Sequence, residues 1–253
     1  MKIIGLTGGI AAGKNFVSEI FAQNGAAVFD ADAQVHELFE LDKLVISAVA
    51  KNFSESLVEN KIDRKILSKL VFADEKKSKK NLEILEKILH PKVRQKYDEF
   101  LIKSRQENRN LVVLNVPLLL ENKGYECEKI VAIIAPKSVQ KKRFLARAKK
   151  LAKKNDNRFD DKSDEKIDDK IAKKLGNRFD EKSDEKIAKK TNDKKNFAFD
   201  KASLEKKFEQ IYSKQIKNSQ RKNRADFVIN SGFSKLTTIF QVKKIINELT
   251  NGA

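Results

Sequence analysis

A chain of 253 residues with 40% hydrophobic side chains carries enough apolar surface for one sizeable core with appended lobes. No apolar run approaches the roughly 18 residues that span a bilayer, and a single cysteine, Cys127, excludes an internal disulfide. The formal charge is +18, from 54 Lys and Arg against 36 Asp and Glu. Lysine dominates and aromatic residues are sparse among the basic runs, so the excess reads as solvated faces rather than a nucleic-acid footprint. Positive steering of a polyphosphorylated substrate is a further source of it.

Met1 to Leu6 lack the layout of a signal peptide, so a cytoplasmic location is expected, with no membrane partner. Residues 2–7 read as a short buried strand, 8–13 as a loop, and 14–24 as a helix with apolar spacing at Phe16, Val17, Ile20 and Phe21. Gly25 is a helix stop. A second strand, 26–29, runs into Asp30-Ala31-Asp32. A long helical region follows over 33–105, broken after His90 because Pro91 cannot continue the hydrogen-bond ladder. Apolar runs at 111–116 and 130–135 read as strands covered on both faces. A basic helix over 138–150, a fifth strand over 225–230 and a closing helix over 236–249 complete an α/β fold with a mostly parallel sheet.

Residues 151–196 stand apart. They are mostly Lys, Asp, Glu and Asn, and "NRFDDKSDEKI" at 157–167 recurs as "NRFDEKSDEKI" at 177–187. Two copies are too few for a solenoid, and few apolar residues offset the ordering entropy. The segment reads as an insertion that arose by local duplication.

Gly8-x-x-x-x-Gly13-Lys14 follows a strand and opens a helix, which is the context a phosphate-binding loop requires. The loop runs Gly8, Gly9, Ile10, Ala11, Ala12, Gly13, Lys14, Asn15. Its N–H groups turn toward phosphates, the helix N-terminus adds partial positive charge, and Lys14 reaches the β- and γ-phosphates. Ala11 is expected at negative φ, since it carries a Cβ. Asn15 stands where a Ser or Thr hydroxyl would ligate Mg²⁺; its amide oxygen can do so with different geometry. Asp30 and Asp32 follow the second strand, at the end where parallel sheets bind ligands. One of them can cap the next helix. Asp32 is read as the general base that accepts the proton of an attacking hydroxyl.

Taken together, "IGLTGGIAAGK", "FDADAQVHE", "ILHPKVR", "NVPLLLE", "QKKRFLAR" and "RADFVIN", in this order, resemble the dephospho-CoA kinase family over most of 1–147 and about 199–250. The resemblance implies a three-layer P-loop kinase fold with a parallel five-stranded sheet. Residues 1–32, 108–142 and 223–253 would form the nucleotide-binding core, 33–107 a helical acceptor-binding lobe, and 143–222 a lid holding the insertion. It implies ATP-dependent phosphorylation of the ribose 3′-hydroxyl of dephospho-CoA, with Mg²⁺. Asp32 then matches the base, and Asp30, His90, Arg94, Pro117 and Leu118 fall at acceptor-binding positions. Arg143 and Arg147 match lid arginines that stabilise charge on the transferring phosphoryl group. Gln215 and Lys222 resemble polar positions ahead of the last strand.

Two positions depart from the family pattern. It has Ser or Thr at Asn15, and Asp at Asn115, a strand end facing the metal and phosphates. At roughly 4 Å and an effective dielectric near 20, one lost unit charge is about 4 kcal/mol of gross Coulomb energy. An alternative reading is therefore a catalytically weakened homologue that still binds nucleotide or CoA.

Overall fold

A computed structural model of the chain describes residues 1–72, 75–116, 119–120, 124–156 and 200–251. They divide into two compact units, the first from 1–31, 97–150 and 200–251, the second from 32–96 and 151–156. The charged near-repeat at 157–187, and Pro117 and Leu118, lie outside the described residues.

The first unit is built on a five-stranded parallel sheet in the order β2-β5-β1-β6-β7. Its strands are β1 (Lys2–Gly8), β2 (Ala27–Asp30), β5 (Leu111–Asn115), β6 (Lys129–Ile134) and β7 (Phe227–Asn230). All five residues of β5 are buried, which is why it reads as an unbroken apolar run: side chains on both faces leave water. On one face Ile4, Leu6, Val113, Val131, Ile133 and Ile229 pack with Val17 and Phe21 of α1 (Lys14–Gln23) and with Val242 and Ile245 of α9 (Lys235–Asn251). Phe29, alternate to Val28 on β2, takes the other face. Its ring lies 5.3 Å from Tyr97 and 5.4 Å from Phe100, both on the long helix α5 (Glu75–Gln106). Helix α6 (Lys137–Asp156) follows β6, and its Phe144 packs on Phe208 of α7 (Lys201–Lys214). The short α8 (Asn218–Asn223) leads into β7. Asp226 joins the last two strands: Lys129 donates to it at 2.8 Å and the Ile130 N–H at 2.8 Å. These two hydrogen bonds, the lysine's first, hold its carboxyl below the ordinary range.

The second unit corrects the expectation of near-continuous helix over 33–105. It contains α2 (Ala31–Leu41), α3 (Lys43–Asn52), a 3₁₀ turn at Ser54–Ser56, a hairpin of β3 (Leu57–Val58) and β4 (Lys61–Ile62), α4 (Arg64–Phe72) and most of α5. The stops are chemical. Asp42 caps α3 by accepting from the Leu44 and Val45 N–H groups, and Asp63 accepts from those of Lys65 and Ile66 at the start of α4. Glu59 and Asn60 both adopt positive φ, 49° and 63°, as a two-residue hairpin turn demands.

Pro91 does not break the helix after His90, because α5 runs through it. An interior proline costs about 3 kcal/mol. Leu89 and Val93 on either side are buried, and burying each contributes roughly 1.5–3 kcal/mol, enough to hold the helix across one missing hydrogen bond.

Candidate active site

The carboxyl ends of β1, β5 and β2 lie side by side, and each carries polar residues. The loop after β1 closes a turn in which the Ala12 N–H donates to the Gly9 carbonyl at 3.1 Å. Within that turn Ala11 has φ 53°, which corrects the expectation of negative φ. The turn requires a left-handed residue there, and the chain supplies alanine. Gly13, at φ 97°, is the N-cap of α1 and has no side-chain capping partner, so the first amides of the helix depend on a ligand or solvent. Lys14 is buried, and its Nζ donates to the Val116 carbonyl just past β5 at 3.2 Å. Asn15 is half-buried in the first turn of α1.

Asp30 and Asn115 are register partners at the ends of β2 and β5. Asn115 Nδ2 donates to Asp30 Oδ2 at 2.9 Å. That bond fixes the amide, and Asn115 Oδ1 is buried with no hydrogen-bond partner among the described residues. A buried oxygen acceptor beside a carboxylate suits a hard cation.

Three further elements converge on the loop. Gln215, just past α7, accepts from the Ile10 N–H at 2.8 Å. Its Oε1 and that of Gln140 crowd Gly9, where a Cβ would meet them at 3.3 and 3.2 Å. Arg221 on α8 is 2% exposed and donates from Nη1 to Thr7 Oγ1 at 3.0 Å. Arg143 on α6 reaches Ser231 and the Ala12 carbonyl. Arg147, one turn on from Arg143, is exposed. Sequence reasoning named Lys222, which is exposed, and missed its buried neighbour Arg221. Within a run of basic residues, nothing in the sequence marks which one turns inward.

A family model described as dephospho-CoA kinase matches residues 2–175. The chain belongs to the dephospho-CoA kinase family. A dephospho-CoA kinase of Bartonella quintana is 32% identical over 250 residues, covering 98% of each chain. One from Wolbachia pipientis is 42% identical over 146 residues, 57% of this chain and 73% of that protein. Among solved structures, a Thermus thermophilus protein superposes with a TM-score of 0.64 at 25% identity, covering 98% of both chains. The dephospho-CoA kinase from Campylobacter jejuni gives 0.55 at 25% identity, over 100% of this chain and 99% of that one. These matches lend nothing to a non-catalytic reading.

Of the positions expected on the acceptor side, Asp32, His90 and Arg94 fall in the second unit and Asp30 in the first. Asp32 is half-buried in the first turn of α2. His90 and Arg94 are exposed and one turn apart on α5. Glu37 of α2 pairs with Lys96 of α5 at 3.0 Å. Arg64 Nη2 lies 3.0 Å from His36 Nε2. Guanidinium only donates, so that nitrogen is bare and the ring proton sits on Nδ1, 3.4 Å from Glu40. Burial pulls the Arg64 guanidinium below its ordinary range, against the opposing charges of Glu40 and Asp63.

Proposed function

We propose that this protein transfers the γ-phosphate of ATP to the ribose 3′-hydroxyl of dephospho-CoA, the last step of coenzyme A synthesis. The observation that carries the reading is the phosphate loop after β1, with buried Lys14 and an uncapped helix N-terminus, in a chain of this family. The loop's amides bind the ATP phosphates, and Lys14 neutralises charge between β and γ. Asp32 accepts a hydrogen bond from the 3′-hydroxyl and takes its proton as the O3′–P bond forms. The bond from phosphorus to the β-bridging oxygen breaks, and ADP leaves. Arg147 supplies positive charge to the transferring group. His90, Arg94, Pro117 and Leu118 bind the acceptor. Residues 1–32, 108–142 and 223–253 act as nucleotide core, 33–107 as acceptor lobe and 143–222 as lid. A single cysteine suits a reducing cytoplasmic setting.

Mg²⁺ fits the donors present. Asp30, Asn115 Oδ1 and Asn15 offer oxygen ligands, and this ion is commonly held by one or two such groups with phosphates and water. When bound it would neutralise charge on the β- and γ-phosphates.

The test is ADP release from Mg-ATP with and without dephospho-CoA, for the natural chain and Asp32→Asn. Acceptor-dependent turnover that falls at least about a hundredfold in Asp32→Asn, with ATP binding retained, supports the assignment. Turnover unchanged in the variant removes Asp32 as the base. No acceptor dependence in the natural chain removes the kinase reading.

A further inference from the structure

We propose that Ser231, together with Arg143, clamps the Ala12–Gly13 peptide of the phosphate loop, making Ser231 a positioning residue for nucleotide binding. The inference rests on the nucleotide-site reading above.

Ser231 follows β7 and is 2% exposed. Its backbone continues the sheet, with its N–H donating to the Ile134 carbonyl at 2.9 Å. Its hydroxyl has one proton and two acceptors within reach: the Ala12 carbonyl at 2.5 Å and the Ile134 carbonyl at 3.3 Å. The shorter contact takes the proton. The same oxygen accepts from Arg143 Nη1 at 3.1 Å. Arg143 Nη2 donates to the Ser231 carbonyl at 2.5 Å, and Nη1 also lies 3.5 Å from the Ala12 carbonyl. The guanidinium therefore grips Ser231 at two points, and the hydroxyl is held with its proton toward the loop.

The consequence follows from peptide planarity. In a trans peptide the C=O of Ala12 and the N–H of Gly13 point in opposite directions. Fixing that carbonyl on Ser231 aims the Gly13 N–H away from it, at the helix N-terminus that has no side-chain cap. The loop needs this restraint because Ala11, one residue earlier, holds a left-handed φ of 53° that its Cβ disfavours. A loop free to relax would populate its binding conformation only in part, and apparent affinity falls by that fraction. Arg143 thus acts on nucleotide binding through Ser231 and the loop.

The experiment is calorimetric titration of the full-length chain with ADP, without acceptor, so turnover plays no part. Thermal unfolding checks the fold of each variant. Ser231→Ala is expected to weaken ADP binding about fivefold, the size of one net hydrogen bond. Arg143→Gln is expected to weaken it at least as much. Ala11→Gly removes the left-handed cost, so the Ala11→Gly/Ser231→Ala pair should recover most of the lost affinity. A merely structural role would give no such recovery. Unchanged affinity in folded Ser231→Ala or Arg143→Gln, or equal loss with and without Ala11→Gly, overturns the clamp while leaving the kinase reading intact. Failure of the natural chain to bind ADP overturns both.

Discussion

Asn115 Nδ2 donates to Asp30 Oδ2 at 2.9 Å across the ends of adjacent strands. A carboxylate at 115 would face Asp30 as a like charge at hydrogen-bond distance. In this chain the amide replaces that repulsion with a bond and turns one neutral oxygen toward whatever the site binds.

Asn115→Asp is therefore expected to destabilise the metal-free protein by about 1–3 kcal/mol, the cost of a buried polar group losing its partner. Added Mg²⁺ should restore more stability to the variant than to the natural chain, because a divalent cation offsets two facing carboxylates. Thermal unfolding with and without Mg²⁺ reads both effects. An Asn115→Asp protein as stable as the parent without metal would show that the pair separates freely.

Arg221 and Lys222 are neighbours with opposite fates. Arg221→Met removes a buried donor from Thr7 Oγ1 and is expected to cost about 1–3 kcal/mol. Lys222→Ala, at an exposed position, should stay within about 0.5 kcal/mol of the parent. Denaturant titration of the two variants distinguishes them.

Asp42 gives a pH signature. Accepting the Val45 N–H holds its carboxyl below the ordinary 3.8, against a burial effect that raises it, with Lys92 and the Leu44 N–H adding in the lowering direction. A carboxyl lowered on folding contributes stability above its unfolded value, and that contribution disappears as pH falls through the folded value. Asp42→Ala should cost about 1 kcal/mol near neutral pH. The two proteins should converge in stability as the pH drops below 3.8. Unfolding measured across that range checks the sign.

Pro91 predicts a gain. Pro91→Ala restores an N–H to α5 at an exposed position. It should stabilise by about 1–3 kcal/mol, less than the full helix-interior penalty because proline also restricts the unfolded chain. A shift in denaturation midpoint with unchanged slope is the expected record.

The sequence by itself determined the sheet strands, the phosphate loop and the helix it opens. Each is a local signal: an apolar run bounded by polar residues, or a glycine spacing between a strand and a helix. It also marked Asn15 and Asn115 as irregular. It did not determine the helices of 33–105, where two aspartate caps, a hairpin turn and a proline carried through α5 all depend on packing that spacing cannot express. Nor did it reveal what supports the loop. Gln215, Arg221, Arg143 and Ser231 lie more than 100 residues from the residues of β1 and its loop that they hold. Only the order β2-β5-β1-β6-β7 brings their elements to the carboxyl ends of the strands. Which of several neighbouring basic side chains turns inward is decided there, as Arg221 is, by burial and by an acceptor such as Thr7 Oγ1. The sequence could say that a phosphate loop exists. Tertiary structure decided how a loop with an alanine at positive φ is held in place.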